Sequence, residues 1–135
     1  MTDFTLDIDS NGVAVITWDV PNKSMNVMSR DSMKLLNELF DQALNDDAVK
    51  GIVITSGKDT FAGGMDLNVL AAIREEYADD PAKGLFEFTM NGHHALRKIE
   101  RAGMDAKTNK GGKPIAAALP GTALGIGLEV PLACH

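Results

Sequence analysis

Two short stretches hold the residue types that could do chemistry. Gly121-Thr122-Ala123-Leu124-Gly125-Ile126-Gly127-Leu128-Glu129 joins the apolar run 115–119 to a helix-like segment and sets one carboxylate, Glu129, just past three glycines. Phe61-Ala62-Gly63-Gly64-Met65-Asp66-Leu67 is a second glycine turn, also leading from an apolar run into a helical stretch. Glycines let a ligand approach the main chain closely, and amides at a helix start have no intrahelical partner, so they bind developing negative charge. If the two preceding strands are parallel, both turns fall at the same edge of a sheet, where α/β proteins hold ligands. Two N–H groups aimed at one oxygen suit an ester or thioester carbonyl as it gathers charge, each donor being worth roughly 2.7–4 kcal/mol in well-studied sites. Glu129, if held in an apolar wall, would have its charged form disfavoured, which moves a carboxyl toward acid–base use near neutrality. The plainer alternative for the 121–129 stretch is a glycine cap followed by a buried helix with a surface glutamate.

Other chemistries fit these residues less well. Neither turn carries the Gly-Lys-Ser/Thr of a phosphate loop, and Val130 stands where a dinucleotide fingerprint needs a third glycine. His93 and His94 are adjacent and point to different sides of a helix with no acidic partner at helical spacing, so no metal site is expected. Cys134 has no nearby base and reads as a core thiol. The net charge of -6 over 135 residues argues against nucleic acid as a partner, because phosphate binding needs a basic surface. No apolar run approaches the roughly 18 residues of a membrane span, and Asp3, Asp7 and Asp9 occupy the place of a basic signal region. The expectation is a cytoplasmic protein with small-molecule or protein partners and no membrane span.

The elements that must position these turns are legible in the patterning. Phe4, Leu6 and Ile8, then residues 13–18, alternate on either side of Asp9-Ser10-Asn11-Gly12, which reads as a β-hairpin. Pro21 ends the second strand. Ser29 followed by Asp31 starts a helix to about residue 45, with Met33, Leu36, Phe40 and Ala43 on one face and Leu39 beside them. The β-rich run 51–57, apolar on both faces, is expected to be an inner strand of a covered sheet, giving a crossover unit. Helices are expected over 67–77 and 82–101, the second with Leu85, Phe88, Leu96 and Ile99 near one face. Residues 101–113 read as an exposed loop, and 115–119 as a strand. One domain over 1–135 is expected, and its apolar end, Val130-Pro131-Leu132-Ala133-Cys134-His135, suggests a chain cut within a larger domain.

These residues resemble the crotonase (enoyl-CoA hydratase/isomerase) superfamily. Pro21-Asn22-Lys23-Ser24-Met25-Asn26-Val27 is similar to its first coenzyme A loop, the 61–67 stretch to its phenylalanine-rich AGAD-type turn, and 113–135 to its KP-(apolar)-G-x-ALGGGxELALAC segment. The likeness spans the whole chain in order and is nearest to the N-terminal hydratase part of multifunctional fatty-acid oxidation proteins. It implies an α/β crotonase-like (ClpP/crotonase) spiral of β-β-α units, incomplete at the C-terminus. By the same resemblance, the amides of Met65 and Ile126 form the oxyanion hole, and Glu129 is the first catalytic glutamate. Lys23, Ser24, Met25, Ala62, Gly64, Met65, Asp66 and Leu67 contact the coenzyme A part of the substrate.

The implied reaction is hydration of trans-2-enoyl-CoA in β-oxidation, with no cofactor for the hydration itself. NAD would enter only if a dehydrogenase domain follows, and the parent would be a homo-oligomer or a multienzyme assembly. The second family glutamate lies beyond His135, so isomerase, thioester hydrolase and non-catalytic acyl-CoA-binding readings stay open. Four departures stand out, the first being Pro120 in place of the common polar residue before Gly121. Ile126 occupies a usual glycine position and must turn its side chain from the thioester. Pro131 falls early in a helix, where it is tolerable only near the first turn. Residues 101–113 make a longer link than is common.

Overall fold

The computed structural model describes residues 2–135. Strands β1 (Phe4–Ile8) and β2 (Val13–Trp18) form the expected antiparallel hairpin, in a register pairing Ile8 with Ala14. Its turn is closed by Asp9, whose carboxylate accepts from the N–H groups of Val13 at 2.8 Å and Asn11 at 2.9 Å. The Val13 bond leads in holding the Asp9 carboxyl below its usual range, helped by Asn11 and opposed by desolvation.

Helix α1 (Arg30–Asn45) follows, started by Ser29, whose hydroxyl accepts from Ser32 N–H in a reciprocal capping box. Ser32 also donates to Asp3, which ties the helix start to the chain's first residues. Leu36, Phe40 and Ala43 are buried at helical spacing, with Met33 and Leu39 partly buried beside them, as the apolar stripe requires.

Strand β3 (Gly51–Ser56) is parallel to β2, and β4 (Ile115–Ala117) is parallel to β3, so the sheet order is β1-β2-β3-β4. Between β3 and β4 lie α2 (Leu67–Glu76) and α3 (Pro81–Arg101), and α4 (Ile126–Leu132) closes the chain. Asp66 and Asp80 cap α2 and α3, and Pro81 takes a first-turn position of α3, where its missing N–H removes no helical bond.

One face of the sheet carries the core. Ala14, Ile16, Trp18, Ile52, Ile54 and Ile115 are buried in one cluster with Leu36, Phe40, Ile99 and Val130 from the helices. Trp18 stacks on Phe4 at 5.1 Å and meets the Phe61 ring edge-on at 5.9 Å, so the 61–67 glycine turn is anchored to the hairpin by aromatic packing. Among the described residues no helix is long and apolar enough to cross a membrane.

Four expectations are corrected. β3 is an inner strand, but it is covered fully only on the Ile52 and Ile54 side, because Val53 and Thr55 are only partly buried. On α3, Leu85 is 50% exposed and Gly84 is buried instead, since the Tyr77 ring at the end of α2 occupies the space a Cβ there would need. Arg101 ends α3 and residues 102–113 form a largely exposed loop, yet both of its ends turn inward, Ala102 lying fully buried in the core. The Lys113 ammonium donates to the carbonyls of Ala43 at 3.0 Å and Asp46 at 2.6 Å, at a C-terminus of α1 that has no basic residue of its own. Pro131 lies in the second turn of α4 rather than the first, and the helix ends one residue later, so few bonds are left for its ring to disrupt.

Candidate active site

β2, β3 and β4 run parallel, and the segment leaving each one leads toward a helix, so residues 19–29, 57–66 and 118–125 meet at one edge of the sheet. Their backbones hydrogen-bond as a second, smaller parallel array. Met28 N–H donates to Gly64 O at 2.8 Å and Asp66 N–H to Met28 O at 2.9 Å, which pairs Met28 with Met65. On the other side, Phe61 N–H donates to Thr122 O at 2.9 Å and Leu124 N–H to Ala62 O at 3.0 Å, which pairs Ala62 with Ala123. The two glycine turns are thus adjacent, as parallel strands require.

Their contact depends on glycine. Gly64 has φ +105° and Gly125 φ +52° with ψ -130°, conformations that side chains strain to adopt. A Cβ on Gly125 would lie 3.7 Å from Gly64 Cα, so the residues that follow them, Ile126 and Met65, start from abutting backbone. Among the described residues, neither the Met65 nor the Ile126 N–H donates to an acceptor within the chain. The Ile126 amide is free because it opens α4, and the Met65 amide because its pairing with Met28 uses the flanking Gly64 and Asp66 groups.

Both side chains turn inward. Met65 and Ile126 are partly buried against the core cluster. Ile126 lines a small apolar gap of about 20 Å³ with Met28, Leu36, Phe40, Leu96 and Val130. The departure from glycine at 126 is therefore absorbed on the core side.

Glu129 lies one helical turn past Ile126, and its carboxylate is exposed. The apolar wall needed to desolvate it is not built by these 135 residues. Leu124, Leu128 and Leu132 around it are themselves 53%, 41% and 73% exposed.

Of the other sequence-predicted residues, Ala62 and Gly64 are buried in the turn and Met25 is partly buried, with its sulfur filling the space a Cβ on Gly63 would need. Lys23 and Ser24 are exposed, as is Leu67. Lys23 pairs with Asp66 across the two loops at 3.4 Å. The Asn68 N–H above all, then the Lys23 ammonium, hold the Asp66 carboxyl below its ordinary value against some desolvation. Sequence reasoning assigned no role to Asn26, which is fully buried and makes five hydrogen bonds here. An asparagine set between Met25 and Val27-Met28 was the available signal, because a polar side chain drawn inside with apolar neighbours must be satisfied.

A larger cavity, about 380 Å³, lies elsewhere, between Arg30, Lys34 and Asn37 of α1 and Tyr77, Glu87 and Phe88 of the α2–α3 corner. It contains neither free amide nor Glu129. The sheet edge is the better candidate on chemistry, since it presents two backbone N–H groups with no acceptor within the described chain.

Parallel strands ending in glycine turns with free amides define an α/β protein whose candidate ligand site is the C-terminal edge of its sheet. Solved structures share the fold. The enoyl-CoA hydratase of Thermoplasma volcanium GSS1 superposes with a TM-score of 0.77 at 23% identity, over 99% of this chain and 46% of that one. The enoyl-CoA hydratase of Bacillus anthracis gives 0.71 at 20% identity, over 98% and 45%. The sequence profile of the enoyl-CoA hydratase/isomerase family matches residues 9–135, and the chain belongs to that family, with the crotonase fold. Curated relatives include the fatty acid oxidation complex subunit alpha of Shewanella frigidimarina, 34% identical over 133 residues, and that of Idiomarina loihiensis, 36% identical over 133 residues. Each match covers 98% of this chain and 17% of the relative.

Proposed function

We propose that this chain supplies the oxyanion amides and the first carboxylate of an enoyl-CoA hydratase acting in fatty-acid β-oxidation. The observation that carries the reading is the pair of unbonded N–H groups, Met65 and Ile126, on abutting glycine turns, with Glu129 one helical turn beyond. The thioester oxygen of a trans-2-enoyl-CoA accepts from both amides. A water oxygen bonds to the β-carbon as the Glu129 carboxylate takes its proton. The electron pair of the double bond moves through the α-carbon onto the carbonyl oxygen, where the amides stabilise the enolate. Collapse of the enolate places a proton on the α-carbon and yields 3-hydroxyacyl-CoA. That proton comes from a second acid outside these residues, and no redox cofactor takes part.

The coenzyme A moiety lies along 23–25 and 62–67, where the exposed Lys23 supplies a cation for its phosphates. NAD belongs only to a dehydrogenase domain of a longer parent, which would work in the cytoplasm as a homo-oligomer or multienzyme assembly. In the protein as encoded, Glu129→Gln is expected to lower kcat by about 10²–10⁴-fold, as loss of a general base does, with acyl-CoA affinity kept. Unchanged hydration would sink the assignment.

A second reading, a non-catalytic acyl-CoA-binding module, draws support from the exposure of Glu129. Calorimetry with an acyl-CoA beside the kinetic assay separates the two. Binding without turnover favours the module.

A further inference from the structure

Asn26 is 0% exposed and sits where the 19–29 and 57–66 loops of the sheet edge meet. Its side-chain oxygen accepts from Val20 N–H at 2.9 Å. Its amide nitrogen faces three acceptors, Trp18 O at 2.9 Å, Ser56 Oγ at 2.9 Å and Phe61 O at 3.0 Å, so its two hydrogens are shared among them. Its own carbonyl accepts from Gly63 N–H at 2.8 Å. The pattern admits one orientation of the amide, because reversing it would set oxygen against two carbonyls and NH₂ against an N–H. One residue thereby joins the end of β2, the end of β3 and both sides of the turn that presents Met65.

Ser56 extends the same clamp. Its hydroxyl donates to Thr60 O at 2.8 Å and accepts from Lys58 N–H at 3.0 Å, so the whole 56–63 loop is tied back to Asn26. Two residues after Gly63, Met65 has no hydrogen bond of its own to hold its N–H in place. The direction of that N–H is set through its neighbours.

We propose that Asn26 is the positioning residue of this site. It acts through the Phe61–Gly63 backbone to aim the Met65 amide, and it touches no reacting atom. The proposal rests on the oxyanion reading above for its catalytic consequence, but not for its structural one.

The test uses Asn26→Ser, with Ser56→Ala as the milder cut, in the protein as encoded. Each is assayed for enoyl-CoA hydration and for the ¹H–¹⁵N resonance and hydrogen exchange of the Met65 amide. Asn26→Ser is expected to lower kcat by about 10- to 100-fold, the effect of misplacing a contact by around 1 Å. KM should change by less than about threefold, since the lost interaction acts in the transition state. The Met65 amide shifts and exchanges faster in both variants, less so in Ser56→Ala. A kcat loss that only tracks the unfolded fraction in thermal denaturation, or a Met65 amide that stays in place, overturns the proposal. If the wild-type protein shows no hydration, the hydratase reading falls, and Asn26 is judged on the Met65 amide alone: movement supports the role and none refutes it.

Discussion

Replacing Gly127 by alanine would set a methyl carbon 2.5 Å from the Cβ of Ala62. Carbon atoms pack best at about 3.5–4.0 Å, so α4 and the 61–66 turn must part by about 1 Å. Both residues are buried, which leaves no solvent side into which the methyl can turn. Overpacking of this kind destabilises by about 1–3 kcal/mol, while exchanging glycine for alanine within a helix returns about 0.8–1.0 kcal/mol. The net is a loss of roughly 0–2 kcal/mol, or a fall in Tm of up to about 8 °C for a chain of this size. The catalytic effect is larger than the thermal one. Ala62 lies three residues before Met65 and Gly127 directly follows Ile126, so the displacement separates the two amides proposed to meet one oxygen. A shift of that size lowers kcat by up to about 100-fold.

The assay is hydration kinetics at a temperature where the variant is fully folded, beside Gly92→Ala as control. Gly92 is also helical, but a methyl added there would meet nothing within 4 Å, so its alanine variant keeps wild-type kcat and gains about 0.5–1 kcal/mol. Wild-type turnover in Gly127→Ala would refute the geometric reasoning.

Lys113→Met removes the cation from the carbonyl end of α1 and is expected to lower stability by about 1.5–2 kcal/mol, the lower part of the range for charge-assisted hydrogen bonds. The urea midpoint measures it, and a loss no larger than that of the exposed Lys107→Met would contradict the capping role. Cys134 has its thiol pushed up to about 11 by burial, from an ordinary 9.0, so the thiolate is scarce at neutral pH. Alkylation at about pH 8 should run on the order of 100-fold slower than for a free thiol and should speed up with pH until about 11, as thiolate-limited chemistry does. Labelling at the free-thiol rate would show the site to be open.

The strands and helices were legible because local pattern and tertiary role agree in them. Period-two alternation placed Phe4–Ile8 and Val13–Trp18, and the Ser29 cap with the stripe Leu36, Phe40 and Ala43 placed α1, since burial selects the same spacing that the element imposes. The meeting of the two glycine turns followed from parallel order alone. What escaped were contacts that join distant residues. Lys113 reaches Ala43 and Asp46, and Asn26 reaches Ser56 and Phe61, and no periodicity encodes such pairs. Leu85 was expected inward because the 3.6-residue period marks it, but the Tyr77 ring claims that position over Gly84. Glu129 shows the opposite failure. Its place on α4 was readable, whereas its exposure depends on what packs beside Leu128 and Leu132, and no spacing within the chain reports that.

The central claim is that the Met65 and Ile126 amides hold the carbonyl oxygen of an acyl thioester. Its most direct test is a ¹H–¹⁵N titration of the isotopically labelled protein with a saturated acyl-CoA. The Met65 and Ile126 amides are expected to shift together and become protected from exchange, while the amides lining the Arg30–Phe88 cavity stay where they are. Shifts confined to that cavity, with Met65 and Ile126 unmoved, would contradict the claim.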